Sequence, residues 1–204
     1  MKERVPRSES QAATRIRLIE TATRLIVEDS IPAMSLRGLC TAAGFTQGAF
    51  YSNFPDKEAL LVEVMERHLA AQHRQLADLA ESSAQQSVED GLSAFSGWLR
   101  DLPGQRGWAS LALELRLHAQ RDPRFGARLA DAERRLMERF GELIGDLAAR
   151  HGLRPVLPEA TLSAVLLDLW YAAVLRVGPA DAAEAVVMPV LRGLLAPSDS
   201  RAGP

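Results

Sequence analysis

The 204-residue chain is 47% hydrophobic and 25% charged, ordinary values for a globular protein long enough to bury a core without disulfides or metals. Its 24 basic and 26 acidic residues nearly cancel, so the overall charge gives no reason to expect a polyanionic partner. The single cysteine, Cys40, excludes an internal disulfide, and no Cys or His spacing is typical of a zinc site, so we expect no cofactor.

The N-terminal end is locally basic and has the pattern of a helix. Apolar residues at helical spacing predict an amphipathic helix over residues 10–29, closed by Pro32; they are Ile16, Ile19, Ala22 or Thr23, and Ile26. The basic residues before Val27 are Lys2, Arg4, Arg7, Arg15, Arg17 and Arg24, against three glutamates. Such an end is either simply solvated or suited to a polyanion, and residues 1–9 are expected to be disordered.

Two short helices joined by a glycine turn follow. Ser35 is an N-cap candidate for a helix that runs to Ala43, and Gly44 ends it because glycine tolerates a positive φ. Thr46 is the next N-cap candidate and opens a third helix from 47 to about 53. Helix, three-residue turn and helix is the plan of a helix-turn-helix motif.

The rest of the chain also has helical patterns. Pro55 interrupts the third helix and Asp56 can cap a fourth, which continues to about residue 79. The later helices are predicted over residues 87–102, 106–121, 123–151, 158–177 and 180–195. No segment shows the β-branched alternation of a strand, so the predicted fold class is all-α, with a disordered tail after Pro197.

The third helix has the composition of a DNA-reading element. Gly48 costs about 1 kcal/mol of helix propensity relative to alanine, and we expect the gain to be a close approach of backbone and DNA. Lys57 begins the fourth helix, whose dipole there favours an anion, and a phosphate partner explains the lysine. The side chains predicted to face outward are Thr46, Gln47, Ala49, Tyr51, Ser52 and Asn53. The predicted core residues of the motif are Cys40, Phe45, Phe50 and Phe54.

Residues 14–26, 35–44 and 48–51, followed by Phe54, Lys57, Glu58, Ala59 and Leu60, resemble the N-terminal domain of the tetracycline-repressor (TetR) family. The match runs without gaps from about Thr14 to Val64. The resemblance implies an all-helical homodimer with two domains. Residues 1–55 hold the N-terminal tail and a three-helix DNA-binding domain, and residues 56–204 hold a linker helix, an effector-binding and dimerisation domain and the C-terminal tail.

The resemblance also implies roles for individual residues. It places Gln47 and Ala49 at base-reading positions, and its phosphate-facing positions are Ser35, Thr46, Tyr51, Asn53 and Lys57. Gly48 completes the predicted DNA-binding set. Two positions depart from the family pattern, which commonly has glycine where this chain has Ser30 and histidine where it has Asn53. In the alternative interpretation Tyr51 is a half-buried core tyrosine, and Gln47 and Asn53 are ordinary surface residues.

The tryptophans of the second half, Trp98, Trp108 and Trp170, suggest where an effector binds. A small-molecule site in such a domain is a largely apolar cavity with a few polar groups. Glu114 and His118 lie four residues apart and can share a helix face. The predicted walls are Trp108, Leu111, Glu114, Leu115 and His118 on one side and Trp170 and Val174 on the other. In the alternative, both tryptophans are core residues and His118 is an ordinary satisfied histidine.

The last two helices carry more apolar residues than one buried face requires. They are Leu162, Val165, Leu166, Leu169, Ala172, Ala173, Leu175, Ala183, Val186, Val187, Val190, Leu191 and Leu194. We predict a homodimer through an isologous four-helix contact over residues 158–195, with core packing alone as the alternative.

The predicted function is a ligand-responsive transcriptional regulator, a repressor rather than an activator, that binds a palindromic double-stranded DNA operator. A small, largely apolar effector would shift the dimer to a geometry in which its recognition helices no longer match successive major grooves. A helical enzyme using Glu114 and His118 is disfavoured because G-x-S-x-G, H-E-x-x-H and P-loop motifs are absent. A helical interaction protein with a non-functional or protein-recruiting helix-turn-helix is the alternative.

No apolar run approaches the ~18 residues of a membrane helix, so a cytoplasmic location is expected.

Overall fold

The computed structural model describes residues 7–29, 35–82, 85–102 and 104–198, with side chains in the first segment described over 11–26. The helices are α1 (Arg7–Asp29), α2 (Leu36–Ala43), α3 (Gln47–Tyr51), α4 (Lys57–Ser82), α5 (Val88–Asp101), α6 (Gln105–Ala119), α7 (Pro123–Arg150), α8 (Glu159–Val177), α9 (Pro179–Asp181) and α10 (Met188–Gly193). The predicted all-α fold class is confirmed.

The first helix packs on a face shifted from the predicted one. Leu18, Ala22 and Ile26 are fully buried, and they are spaced four residues apart on one face. Ile16 is instead 45% exposed, so its assignment to the buried stripe is wrong. The helix also begins at Arg7, inside the stretch expected to be disordered. Ser30, Pro32, Lys2 and Arg4 lie outside the described residues, as does the tail from 199.

The predicted caps of the helix-turn-helix are confirmed. The side chains of Ser35 and Thr46 accept hydrogen bonds from the backbone N–H groups of Gly38 (3.0 Å) and Ala49 (3.2 Å). Gly44 ends α2 at φ 76°, in the left-handed region that favours glycine. These caps satisfy backbone groups that helices as short as α2 and α3 would otherwise leave unpaired.

The long helix α4 packs against α1 of the N-terminal half and against α5, α6 and α7 of the C-terminal half. Asp56 caps its start, accepting a hydrogen bond from the Ala59 N–H at 2.6 Å. Its buried apolar residues join the core of the motif to that of the C-terminal helices in one continuous cluster. A movement of α4 therefore reaches both halves of the chain.

Two glycines allow backbone to pack against backbone at helix contacts. A Cβ atom on Gly107 of α6 would lie 2.0 Å from the carbonyl oxygen of Ile26, so α6 contacts α1 directly. A Cβ atom on Gly141 of α7 would lie 2.5 Å from the carbonyl carbon of Glu159, at the start of α8. Only a residue without a side chain fits either contact.

The C-terminal region differs from the predicted single helix over 180–195. A π-helical segment, Ala182–Val187, separates α9 from α10. Pro189 explains the irregularity, because a proline lacks the N–H that would continue the α-helical hydrogen bonds and its ring crowds the preceding turn. Two short strands, β1 (Leu153–Pro155) and β2 (Leu195–Pro197), form an antiparallel pair. Three-residue strands are too short for an alternating pattern, so the expectation of no strand was wrong here.

One described helix, α8, is long and apolar enough to cross a membrane by length and composition. An 18-residue window within its 19 residues has a mean hydropathy of 1.5, and 39% of that window is buried inside the chain. α8 contains no uninterrupted apolar run of that length, because Asp168 divides it, so the sequence analysis did not predict it as a candidate span. Core helices of soluble proteins have the same composition, and α8 packs on α6, α7 and the π-helical segment.

Candidate DNA interface and effector cavity

Two buried aromatic rings anchor α3 and leave its tyrosine outside. Phe50 and Phe54 are 0% and 1% exposed, and their ring centroids lie 5.6 Å apart. Tyr51, next to this pair, is 57% exposed and meets the Phe50 ring edge-on at 5.4 Å. The rings fix the inner face of α3, and Gln47 and Tyr51 are exposed to solvent.

The exposed face of α3 matches the predicted reading surface in most positions. Thr46, Gln47 and Gly48 are exposed, and Ala49 is half-buried. A Cβ atom on Gly48 would have the Thr46 hydroxyl oxygen, 3.7 Å away, as its nearest neighbour outside the backbone of the helix. Packing within the described chain therefore does not require this glycine.

Ser35 and Thr46 can cap a helix and still contact a phosphate. Each hydroxyl oxygen accepts a backbone N–H bond, and its own O–H remains a donor. Both side chains are exposed at the starts of α2 and α3. Lys57 is half-buried at the first residue of α4, beside the capping carboxylate of Asp56.

Asn53 differs from the outward orientation predicted for it. Its side-chain Nδ2 donates to the carbonyl oxygen of Ala49 at 2.8 Å, and its Oδ1 is buried without a hydrogen-bond partner among the described residues. The amide thus lies against its own helix, because a short polar side chain can return to the backbone four residues earlier.

Arg15 joins three parts of the motif, and the sequence analysis did not single it out for this. Its guanidinium donates to the backbone carbonyl of Asn53 and to the carboxylate of Glu63 in α4. The guanidinium carbon also lies 4.1 Å from the centroid of the Phe54 ring. One side chain therefore connects α1 with the end of α3 and with α4. The spacing of residues in the sequence does not predict these contacts.

The residues predicted to form the effector walls are mostly packed inside the core. Trp108, Leu111 and Val174 are at most 2% exposed, and none of them lines the three cavities described below. Trp108 stacks on His68 with ring centroids 3.6 Å apart. Burial in this contact lowers the pKa of His68 to about 3, so the imidazole is neutral near pH 7.

The other four predicted wall residues lie in different surroundings. Leu115 lines the largest cavity and Trp170 lines a smaller one, where its indole donates to Gln105 at 2.9 Å. Glu114 is exposed, whereas His118 is half-buried with its ring edge-on to Phe125. The structure therefore does not bring the seven residues together around one space.

The largest cavity lies between α4, α6, α7 and α8 and has a volume of about 550 Å³. Two others, of about 120 and 70 Å³, are smaller than the roughly 300–1,000 Å³ of typical ligand sites. The cavity of about 550 Å³ is lined by Val62, Met65, Glu66, Leu69, Ala112, Leu115, Arg116, Leu129, Ala130, Ala132, Glu133, Arg134, Leu136, Met137, Ala160, Thr161, Ala164, Leu167, Asp168 and Tyr171. Size and lining make this cavity the candidate effector site.

A polar cluster interrupts the apolar wall of this cavity. Arg116 Nε donates to Glu133 at 3.1 Å, and its Nη1 contacts Asp168 at 2.6 Å. Burial lowers the pKa of Arg116, but the two carboxylates outweigh that effect and raise it above its ordinary value. Tyr171 is buried and lines the same cavity. The sequence signal that could have found the cluster is the pair Asp168 and Tyr171, polar groups in the middle of the largely apolar α8.

Metal binding has no support in the part of the chain that the structure describes. No group of three or more His, Cys, Asp or Glu side chains there could hold an ion. Cys40 is a free, buried thiol in α2, and burial raises its pKa.

Sequence comparisons show which known proteins this chain resembles. The family model described as bacterial regulatory proteins, tetR family, matches residues 18–64. The chain is 25% identical to the HTH-type transcriptional regulator UidR of Escherichia coli strain K12 over 159 residues, 78% of each chain. It is 32% identical to the HTH-type transcriptional repressor NemR of the same strain over 107 residues, 52% of this chain and 53% of NemR.

Solved structures share the fold over more than nine tenths of the chain. The reduced form of Escherichia coli NemR superposes with a TM-score of 0.65 at 21% identity, covering 91% of this chain and 99% of NemR. Thermus thermophilus FadR, a TetR-family repressor solved with lauroyl-CoA, gives a TM-score of 0.61 at 20% identity, covering 93% and 100%. With its matching helix-turn-helix and its regulator relatives, the chain belongs to the TetR family of bacterial transcriptional regulators.

Proposed function

We propose that the protein is a DNA-binding repressor, released from a palindromic operator when a small molecule binds its C-terminal helices. The observation that carries the proposal is the exposed face of α3, where Tyr51 is 57% exposed beside the buried Phe50. A helix held by buried rings, with polar and small groups outside, has the form of a recognition helix in a major groove. NemR, a relative by sequence, is a transcriptional repressor.

The DNA-binding roles follow from side-chain chemistry and position. Gln47 and Ala49 would contact base edges, through an amide and a methyl group, while Gly48 lets the backbone approach. Phosphate contacts are proposed for the remaining members of the set, Ser35, Thr46, Tyr51, Asn53 and Lys57. For Asn53 this requires its amide to leave the Ala49 carbonyl.

The regulatory part of the proposal rests on helix contacts. The candidate cavity is lined by α4, and α4 also packs against α1 and contacts Arg15 through Glu63. A ligand that prefers one position of α4 would shift the population of DNA-binding geometries in a homodimer. FadR, which shares the fold, was solved with a small-molecule ligand, lauroyl-CoA. The proposed location is the cytoplasm, with no membrane partner.

The test is fluorescence anisotropy with labelled DNA from the neighbourhood of the protein's own gene, over a series of salt concentrations. Wild type should bind one fragment with an affinity that falls steeply with salt, because phosphate contacts release counterions. Tyr51→Ala should weaken binding about tenfold, or about 1.4 kcal/mol. Tyr51→Phe separates the hydroxyl from the ring.

The matched control is Gln120→Ala, which removes an exposed polar side chain at the end of α6. It should bind like wild type, and circular dichroism should show every variant folded. If folded wild type binds neither these fragments nor any sequence from a random pool, DNA binding is excluded and the interaction-protein alternative takes its place. If it binds but Tyr51→Ala binds equally well, the residue assignment is wrong.

A further inference from the structure

The polar wall of the 550 Å³ cavity carries an excess negative charge. Arg116 is shared between Glu133 and Asp168, at 3.1 and 2.6 Å, so two carboxylates face one guanidinium. These three side chains are 37–53% exposed, so the cluster sits at the entrance of the cavity and a ligand can reach it.

The other charged residues of the lining are paired away from this cluster. Glu66 contacts Arg135 at 3.4 Å, and Arg134 contacts Asp131 and Glu138 at 2.6 and 3.0 Å. Their three carboxylates outnumber the two guanidinium groups, so they supply no positive charge that would offset the wall formed by Glu133 and Asp168.

A buried hydroxyl in the same cavity lacks a strong partner. Tyr171 is 6% exposed, and the partner found for its hydroxyl among the described residues is the Met65 sulfur, at 3.9 Å. A thioether is a weak acceptor, and the phenol oxygen can itself accept a hydrogen bond. Both Tyr171 and Met65 line the cavity, so this unused capacity is available to a ligand inside it.

The rest of the wall near these groups is apolar. Leu69, Leu115, Leu136 and Met137 are buried and line the cavity beside Met65. Such a surface favours an aliphatic or aromatic body, because its burial removes apolar area from water. The cavity therefore combines an apolar floor with acceptors on one wall.

We propose that the effector is an organic cation, with an apolar body and one protonated amine held by Glu133, Asp168 and the hydroxyl oxygen of Tyr171. An ammonium group has three donors and no acceptor, which matches the three acceptors. Arg116 holds the two carboxylates on the wall and cancels one of their charges. A carboxylate ligand would instead add a third negative charge to the cluster. The regulatory meaning of this site rests on the function proposed above.

The experiment compares three probes with the same octyl chain but different charge: octylamine, 1-octanol and octanoate. Each is titrated at pH 7 into the full chain without DNA, by isothermal calorimetry. Octylamine should bind about tenfold more tightly than the other two. Asp168→Asn, Glu133→Gln and Tyr171→Phe should each weaken octylamine about tenfold and leave 1-octanol unchanged.

Glu114→Gln is the matched control, because it removes an exposed carboxylate of α6 that does not line the cavity. It should leave the affinity of octylamine unchanged. Equal binding of all three probes overturns the proposal, as does tightest binding of octanoate that is lost in Arg116→Gln. Loss of octylamine binding in Glu114→Gln as well would place the amine elsewhere and also overturn it.

DNA binding is measured on the same preparations by anisotropy, before any probe is added. A chain that binds octylamine in this pattern but no DNA keeps the cavity assignment and loses the proposed function. A chain that binds DNA but shows no preference for the amine keeps the function and loses this inference.

Discussion

At the scale of single residues, the burial of His68 makes the stability of the protein depend on pH. Its ring stacks on Trp108 at 3.6 Å, and its Nε2 is hydrogen-bonded to the side chain of Gln72 at 2.8 Å. Burial there penalises the charged imidazolium and lowers the pKa to about 3 from an ordinary 6.5. The folded protein thus takes up this proton only in strong acid, whereas the unfolded chain takes it up near pH 6.5.

Acidification should therefore reduce the free energy of unfolding. Because the pKa is depressed in the folded state, the contribution of His68 is fully present above pH 6.5 and is lost as the pH falls towards 3. The expected slope is about 1.4 kcal/mol per pH unit, or about 2 kcal/mol between pH 6.5 and 5. Urea unfolding at pH 7 and pH 5 measures it, and His68→Gln should show a weaker dependence.

His73→Gln is the control for that comparison. His73 lies five residues further along α4, and its Nε2 contacts the backbone carbonyl of Arg139 at 3.2 Å. His68→Gln should weaken the pH dependence more than His73→Gln does, because His68 is the histidine stacked on Trp108. The same slope in wild type and His68→Gln would show that other groups cause the acid sensitivity.

At the scale of elements, the contact between α1 and α6 joins the DNA-binding motif to the C-terminal helices. It depends on Gly107, because a Cβ atom there would lie 2.0 Å from the Ile26 carbonyl oxygen. The obstacle is backbone, which cannot rotate away as a flexible side chain can. An added methyl group must therefore push the two helices apart.

Gly107→Ala should destabilise the protein by about 1–3 kcal/mol, the usual cost of overpacking. The loss would appear despite the gain of up to about 1 kcal/mol in helix propensity. Urea unfolding at constant pH measures it. Gly91→Ala in α5 is the control, since nothing lies within 4 Å of its Cβ, and it should be neutral or stabilising. A Gly107→Ala variant as stable as Gly91→Ala would contradict the close contact.

At the scale of the whole molecule, an apolar face of α8 remains outside the core of one chain. Val165 and Leu175 are 40% and 36% exposed, and Ala172 is exposed between them. Other residues of the predicted dimer surface, such as Leu162 and Leu166, are instead buried within the chain. Some of the apolar residues predicted to form the dimer contact are therefore buried within the chain, and others are exposed to solvent. The exposed ones are those proposed to form the homodimer.

Val165→Glu should convert the proposed dimer to a monomer at micromolar concentration, because two such chains would place like charges opposite each other in an apolar contact. Sedimentation equilibrium measures the mass, and anisotropy should show weaker operator binding. Leu113→Glu is the matched control, since Leu113 is a 52% exposed leucine that belongs to α6 and not to α8. Dissociation by Leu113→Glu and not by Val165→Glu would move the interface to α6.

The sequence by itself determined the elements of the DNA-binding half. Caps at Ser35, Thr46 and Asp56, the turn at Gly44 and the buried ring of Phe50 were predictable because each depends on neighbours a few residues away. The all-α class followed from the same local patterns. Family membership followed from their gapless spacing.

Only the tertiary structure decided what the C-terminal helices enclose. Trp108 and Val174 are residue types typical of a ligand site, but in the structure they fill the core. Arg116 instead contacts Asp168, 52 residues later in the chain, and helps to form the polar wall of the cavity. Helical periodicity predicts that a side chain is buried, but it does not predict which helix covers it. That choice depends on how α4, α6, α7 and α8 pack together, and contacts such as Gly107 with Ile26 fix the packing between residues far apart in sequence.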